Sequence, residues 1–261
     1  MRSAESTHDA DAAFSLEKVK QQFGSDSIPV FYDLTLSIPK GKFVTIVGPS
    51  GCGKSTILRL VAGLQSPTSG IVKRGALSDR QVGFVFQHPT LLPWRTAEQN
   101  LRLPLELGSA INNDDAPTDA PHSLHQLLEQ VGLSPEDAKK RPAQMSGGMQ
   151  MRLSLARALV TEPQILLLDE PFAAVDDFLR MRLQEDIRRL HDVRNLTTVL
   201  VTHNLQEAIF LSDRVIVLSG KPAEVTKSLE IAWSGPRDVG FRNGDRYVEY
   251  VRQLSASLLE S

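Results

Sequence analysis

The glycine-rich segment Gly48–Ser55 constrains this chain more than any other feature of its sequence. It fits the pattern G-x-x-x-x-G-K-[ST] at every specified position. It follows an apolar, β-branched run at Phe43–Val47 and precedes a helical pattern at Lys54–Leu64. Glycines allow successive backbone N–H groups to point at one anion, and the helix N-terminus adds its positive dipole end. The segment therefore predicts phosphate binding, the alternative being a glycine-rich turn that binds nothing.

The side chains of this segment predict specific contacts with a phosphate chain. Lys54 can supply a positive charge for the β- and γ-phosphates, the Ser55 hydroxyl can ligate Mg²⁺, and Thr56 can contact the α-phosphate. Cys52, the single cysteine, is expected to be a small residue at a tight turn rather than a redox group. The predicted phosphate-binding residues are Gly48, Pro49, Ser50, Gly51, Cys52, Gly53, Lys54, Ser55 and Thr56.

The composition limits the class of protein. The chain has 261 residues, of which 41% are hydrophobic, so it can bury a core, and disorder over its whole length is excluded. Lys+Arg is 29 and Asp+Glu is 31, and this balance gives no basic field that would favour a nucleic-acid partner. The apolar runs are short and the N-terminus is polar, so neither a membrane-spanning helix nor a secretory signal is expected. These features favour a soluble, cytoplasmic protein.

Patterns typical of strands and helices alternate along the chain, which predicts a parallel sheet with right-handed crossovers. Helices and loops predominate at about 88–160, and we interpret this part as an insertion into the α/β core. Residues 1–13 are polar and are expected to form a disordered tail. Residues 14–232 form the predicted main domain, and residues 233–261, which carry no clear motif, form a C-terminal extension.

Two carboxylates end the apolar strand predicted at Ile165–Leu168. Because ligands bind at the carboxyl ends of parallel strands, Asp169 is expected beside the phosphate-binding segment, where it can hold Mg²⁺ directly or through water. Glu170 is offset by one residue and is suited to orient and deprotonate an attacking water. The alternative is a pair of acids that only ends a strand in solvent.

The segment Ser146–Gln150 distinguishes among phosphate-binding proteins. Ser146, Gly147 and Gly148 open a predicted helix and so form a second anion-binding terminus, the alternative being a helix N-cap with no ligand. Since one phosphate-binding segment encloses only one side of a triphosphate, two chains are expected to close head to tail. Together with the two motifs above, the segment resembles the signature of ABC-transporter ATPases, led here by Met145 in place of the usual leucine.

This resemblance covers roughly residues 14–230 and implies a fold class and ligands. The implied fold is α/β: a P-loop NTPase with a RecA-like parallel sheet core, an antiparallel β subdomain and an inserted α-helical subdomain. The implied ligands are ATP and Mg²⁺, with Ser55, Gln87 and Asp169 around the metal ion.

The resemblance also implies roles for residues outside the two main motifs. Gln87, at the end of the strand predicted at Val82–Phe86, would sense Mg²⁺ and the attacking water. Asp176 matches the family's D-loop, and His203 matches the switch histidine that contacts the γ-phosphate. Phe23 falls where the family has an aromatic residue that stacks on adenine, with a core phenylalanine as the alternative. The implied catalytic residues are Glu170, His203, Gln87 and Lys54.

The stretch Gln87–Trp94 is similar to that of the nitrate/sulfonate/taurine importer subfamily, and related importers of pyrimidine-type vitamin precursors share its features. A complete ATPase motif set without a membrane span implies separate permease subunits. Leu91, Leu92 and Trp94 are a candidate groove for a permease helix, the alternative being ordinary core packing. Further implied partners are a second, identical ATPase subunit and, indirectly, a solute-binding protein. The implied location is peripheral, on the cytoplasmic face of the bacterial inner membrane.

Two other functions remain open at this point. One is a soluble ABC-type ATPase without a membrane partner, which the neutral charge and the segment Leu91–Trp94 disfavour. The other is a P-loop kinase, which Ser146–Gly148 and His203 disfavour. Asn204 stands where the family often has aspartate after the histidine, and this departure weakens the prediction of the solute rather than that of the ATPase.

Overall fold

The computed structural model describes residues 12–24, 27–74, 81–112, 120–173 and 175–259. Residues 1–11 of the expected tail lie outside this range, whereas Ala12 and Ala13 belong to the first strand. The described residues form two compact units. Unit one contains those within 1–79 and 194–261, and unit two contains those within 80–193.

Unit one contains an antiparallel sheet of three strands, as the resemblance implies. The strands are β1 (Ala12–Gln21), β2 (Phe31–Pro39) and β4 (Ser69–Lys73), with β1 in the centre. Apolar side chains of β1 such as Leu16 and Val19 are fully buried, and Leu16 pairs with Leu36 of β2 and Val72 of β4. These cross-strand pairs set the register of the sheet.

Unit one also contains a mixed set of paired strands in the order β7-β3-β8-β9. Strand β3 (Phe43–Val47) is parallel to β7 (Thr197–Val201) and β8 (Arg214–Ser219), and these pairings confirm the predicted parallel core. All residues of β3 and β7 are buried, as their continuous apolar or β-branched sequences predict. Strand β9 (Glu224–Glu230) pairs antiparallel with β8 and is largely exposed.

The helices of unit one include two that carry the site and two that follow the last strand. Helix α1 (Lys54–Val61) follows β3, and α6 (Leu205–Leu211) follows β7. The segment predicted as a C-terminal extension folds within unit one, where it forms α7 (Val239–Arg242) and α8 (Asp245–Leu259). Helix α8 packs against α6.

Among its described residues, unit two contains two paired parallel strands and four α-helices. Strands β5 (Val82–Val85) and β6 (Ile165–Asp169) pair with Val85 opposite Leu168. The helices are α2 (Ala97–Asn112), α3 (Ala120–Gln130), α4 (Gly147–Leu159) and α5 (Asp177–Arg194). Three of these helices fall in the stretch 88–160, which the sequence predicts to be helical.

Buried Arg152 on α4 connects the parts of unit two. It donates a hydrogen bond of 2.6 Å to the Val131 carbonyl and lies 3.1 Å from the Asp186 carboxylate of α5. Gly132 leaves the space that the guanidinium fills, because a Cβ atom there would lie 1.9 Å from Arg152 Nη1. Within the part of the chain that the structure describes, no helix is both long and apolar enough to cross a membrane.

Candidate nucleotide-binding site

The backbone of the phosphate-binding segment depends on glycine at three positions. Gly51 and Gly53 have φ angles of 78° and 96°, in the region that side chains with a Cβ rarely adopt. Gly48 has no room for a side chain, since a Cβ atom there would lie 2.3 Å from the Leu218 carbonyl oxygen of β8. The curled loop between β3 and α1 that the sequence predicts is therefore present.

Lys54 is held across this loop. Its ammonium group donates hydrogen bonds of 2.9 Å to the carbonyl oxygens of both Gly48 and Pro49, and the residue is 5% exposed. Thr56 is also buried and Ser55 is half-buried, both on the first turn of α1. Cys52 is buried beneath the loop, as expected of a small residue at a tight turn.

His203 lies at the same sheet edge as this loop. Strands β3 and β7 are parallel with Ile46 opposite Val201, so the residues that follow each strand meet at one edge. His203 is exposed there. Its neighbour Thr202 donates a 2.6 Å hydrogen bond to the buried Glu207 carboxylate. Unit one therefore places the loop and His203 at the same edge of the sheet.

Asn204, which stands where the resemblance leads us to expect aspartate, is the N-cap of helix α6. Its side-chain oxygen accepts hydrogen bonds from the backbone N–H groups of Gln206 and Glu207, at 2.9 and 3.2 Å. This is the N-cap geometry that both asparagine and aspartate provide. The departure therefore leaves the start of α6 intact.

In unit two, the carboxylates and Gln87 lie at one edge of the β5–β6 pair. Asp169 is the last residue of β6 and is 6% exposed. Glu170 follows it with a φ angle of 45°, a left-handed conformation that is uncommon for a residue with a side chain. Gln87 is exposed just beyond β5. The parallel register of the two strands places all three at their carboxyl ends.

The segment Ser146–Gly148 opens helix α4, as the sequence predicts. Ser146 is the N-cap, and its hydroxyl accepts a 3.3 Å hydrogen bond from the Met149 N–H. Gln150 donates from its amide to the carbonyl oxygens of Pro142 and Met145, which fixes the approach of the chain to this helix. Ser146 and Gly147 are exposed and therefore accessible to a ligand.

Asp176 lies next to this helix start. Its carboxylate accepts a 3.0 Å hydrogen bond from the Leu179 N–H and so caps α5. The Leu179 side chain in turn fills the space at Gly148, where a Cβ atom would lie 2.0 Å from Leu179 Cδ2. Unit two thus brings Ser146–Gly148 and Asp176 together.

Phe23 is 54% exposed on the segment between β1 and β2, so its interpretation as a core residue is wrong. Trp94 is 67% exposed, whereas Leu91 and Leu92 are half-buried. The interpretation of Trp94 as an ordinary core residue is therefore wrong.

Two residues that the sequence analysis missed organise the chain around Trp94. Buried Asn100 accepts a 2.7 Å hydrogen bond from the Leu92 N–H, and its amide nitrogen donates to three backbone carbonyls between Leu92 and Thr96. Arg157 donates to the carbonyl and hydroxyl oxygens of Thr90. Burial lowers the pKa of Arg157. Asn100 and Arg157 are isolated polar residues within helices, and an isolated polar residue gives no distinctive signal in the sequence.

Comparison with known proteins extends these observations. The family model described as ABC transporter matches residues 31–173, which is more than half of the chain. The chain belongs to the ABC transporter family. It is accordingly an ATP-binding cassette that hydrolyses ATP, and the predicted family and enzyme class are confirmed.

The sequences of individual relatives support the same family membership. The chain is 46% identical over 209 residues to the aliphatic sulfonates import ATP-binding protein SsuB 2 of Pseudomonas syringae, covering 80% of this chain and 84% of that protein. It is 37% identical over 230 residues to SsuB of Bacillus thuringiensis, covering 86% and 88%. It is also 38% identical to an uncharacterized ABC transporter ATP-binding protein of Methanocaldococcus jannaschii, covering 89% and 85%.

Solved structures share the fold of this cassette. A dimeric ATP-binding cassette in a post-hydrolysis state, bound to ADP and Pi, superposes with a TM-score of 0.73 at 31% identity, covering 85% of this chain and 100% of that chain. The cbiO1 protein of Clostridium perfringens, part of an ABC transporter complex, gives 0.72 at 22% identity and covers 96% and 97%. The predicted α/β fold class is confirmed.

Proposed function

We propose that this cassette drives uptake of an aliphatic sulfonate or a related small solute, such as nitrate or taurine, through separate permease subunits. The supporting observation is its likeness over most of its length to several cassettes named for aliphatic sulfonate import. The stretch Gln87–Trp94 supports the same subfamily. The proposed location is the cytoplasmic face of the inner membrane.

In the proposed site, the loop Gly48–Thr56 binds the phosphates of ATP. The loop provides backbone N–H groups at a helix N-terminus and one buried ammonium group, on Lys54. Phe23 is exposed and so is available to stack on the adenine ring.

Mg²⁺ suits the oxygen ligands that the proposed site offers. The described residues contain no cluster of three or more histidine, cysteine, aspartate or glutamate side chains that could hold a metal ion. Mg²⁺ is commonly bound through one or two carboxylates together with substrate phosphates and water, so few protein ligands are needed. Ser55, Gln87 and Asp169 would supply hydroxyl, amide and carboxylate oxygens. When bound, the ion would neutralise charge on the phosphates.

The proposed hydrolysis assigns one task to each remaining residue. Glu170 orients the attacking water and accepts its proton, while Lys54 and His203 neutralise charge that develops on the γ-phosphate. Ser146, Gly147 and Gly148 of a second copy cap that phosphate, and Asp176 supports the contact between copies. The dimeric state of a related cassette supports this arrangement.

The segment Leu91–Trp94 is the proposed contact with a permease. Trp94 presents an exposed indole, and hydrogen bonds with Asn100 and Arg157 hold the backbone on either side of it. Rigid aromatic side chains on an ordered loop are well suited to anchor a partner helix. A solute-binding protein would act on the permease and only indirectly on this chain.

Uptake of a labelled aliphatic sulfonate by cells that lack the native gene tests this proposal. Cells that express the wild-type chain should accumulate the label, and cells that express Trp94→Ala should not. Tyr32→Ala is the matched control, because Tyr32 is also an aromatic residue exposed to 67%. It should restore uptake.

Two results would count against the proposal. If the wild-type chain restores no uptake of sulfonate, nitrate or taurine, the solute class is wrong. If Trp94→Ala supports uptake as well as Tyr32→Ala does, the permease does not dock at this segment. Equal expression of the three chains is checked by immunoblotting.

A further inference from the structure

The C-terminal segment makes polar contacts with both ends of helix α6. At the first end, the Tyr247 hydroxyl of α8 donates a 3.1 Å hydrogen bond to the Gln206 carbonyl oxygen. At the other end, Arg237 donates to the carbonyl oxygens of Ile209 and Ser212, at 2.9 and 2.8 Å. We call Arg237 and Tyr247 together the C-terminal clamp.

Both residues of the clamp are well placed to hold a fixed geometry. The Arg237 side chain is only 5% exposed, and its guanidinium lies 4.6 Å from the centre of the Phe241 ring. A cation at the C-terminal end of a helix also complements the helix dipole. The Tyr247 hydroxyl is protonated at neutral pH and can donate, and burial raises its pKa further.

Helix α6 begins at Leu205, two residues after His203. Asn204 caps the helix by accepting from the N–H groups of Gln206 and Glu207, and the Gln206 carbonyl is the group that Tyr247 holds. A shift of this first turn would therefore move Asn204 and, through the peptide chain, His203. Helix α6 also packs against β3, the strand that leads into the phosphate-binding loop.

We propose that the C-terminal clamp, through α6, positions His203 for ATP hydrolysis. Arg237 and Tyr247 are thus positioning residues that do not themselves contact nucleotide. This inference rests on the proposed role of His203 at the γ-phosphate. It gives residues 233–259 a part in turnover that their sequence does not reveal.

The test compares the full-length wild-type chain with Tyr247→Phe and with a control variant in the same helix. Tyr250→Phe is that control, because its hydroxyl contacts only the backbone of Ala232 among the hydrogen bonds described. Tyr247→Phe should lower kcat for ATP by about two- to tenfold, the effect of losing one hydrogen bond, while KM is unchanged. Tyr250→Phe should leave both constants unchanged.

Hydrogen–deuterium exchange provides a local readout. In Tyr247→Phe, the amides of residues 203–207 should exchange faster than in the wild type and in Tyr250→Phe. Arg237→Lys keeps the charge but loses the paired donors of guanidinium, so it should show the same combination of lower kcat and faster exchange. A fall in kcat without faster exchange at 203–207, a rise in KM alone, or a normal kcat would each overturn the proposal.

His203→Ala separates this inference from the function on which it rests. Normal turnover by His203→Ala would refute the role proposed for His203, and the clamp proposal would fall with it. Slow turnover by His203→Ala together with normal turnover by Tyr247→Phe would refute the clamp alone. Slow turnover by both, with faster exchange in Tyr247→Phe, is the expected result.

Discussion

Glu170 combines a strained backbone with the chemistry proposed for it. Its φ angle of 45° is in the left-handed region, where a residue with a side chain costs about 1–2 kcal/mol. Such conformations persist where the surrounding structure imposes them, and they are concentrated at functional sites. Here the buried strand β6 ends at Asp169, and the Glu170 carbonyl accepts a 3.2 Å hydrogen bond from Ala173. The backbone conformation therefore fixes the position of the Glu170 Cβ atom.

Glu170→Gln should lower the steady-state rate of ATP hydrolysis by about 10²–10⁴-fold, because the amide cannot accept the proton of the attacking water. ATP binding should persist and closed dimers should accumulate. Glu162→Gln is the matched control, since Glu162 also has a left-handed backbone, with φ of 52°, but has no proposed part in catalysis. Phosphate release and nucleotide binding are the measurements. Turnover by Glu170→Gln at the wild-type rate would remove Glu170 from the role of base.

At the scale of elements, unit two fixes two helix starts against each other. Helix α4 begins with Ser146 as its cap and α5 is capped by Asp176, and the Leu179 side chain fills the space left by Gly148. The absence of a Cβ at Gly148 thus serves packing between helices as well as access to a ligand. Both helix starts carry residues assigned to the contact between two copies, so their spacing matters for the proposed closed dimer.

Gly148→Ala should separate these two helix starts. The added Cβ would lie 2.0 Å from Leu179 Cδ2, and overpacking of this kind costs about 1–3 kcal/mol of unfolding free energy. ATP hydrolysis should fall as well. Adding Leu179→Ala removes the clash, so the double variant should recover part of the lost unfolding free energy and part of the lost ATPase activity. Denaturant unfolding and a phosphate-release assay measure the two quantities. Strictly additive effects of the two substitutions would show that this contact does not set the spacing.

Motifs with local backbone requirements made several elements predictable from the sequence. The phosphate-binding loop begins after β3 and ends at α1, as predicted. Elements that depend on tertiary contacts were not predicted. Strand β9 is mostly exposed and polar, and it is ordered by pairing with β8. Helix α8 is likewise ordered by its packing on α6.

The sequence predicts where the candidate site residues lie in the fold, but it does not predict the side chains that hold the surrounding backbone. Every motif residue lies at a strand end or helix start, because the motifs themselves encode those turns. Asn100, Arg157, Arg237 and Tyr247 make hydrogen bonds to backbone atoms of neighbouring segments. Which carbonyl a polar side chain reaches is set by the folded chain, so composition and spacing do not reveal it.

At the scale of the whole molecule, the proposed reaction centre needs more than one copy. The loop and His203 belong to unit one, while the carboxylates and Ser146–Gly148 belong to unit two. We assign Ser146–Gly148 to the nucleotide of a partner copy, and a related cassette is dimeric after hydrolysis. Two copies that exchange equivalent surfaces form a closed, symmetric pair. We therefore propose that turnover depends on association as well as on ATP.

The dependence of specific ATPase activity on protein concentration tests this central claim most directly. The purified full-length chain is assayed at saturating ATP over a range from nanomolar to tens of micromolar. If the active species is a dimer, activity per chain should be low at high dilution and should rise with concentration to a plateau, since association follows mass action. Activity per chain that stays constant and high down to the lowest concentration would contradict the account, because a single copy would then be complete.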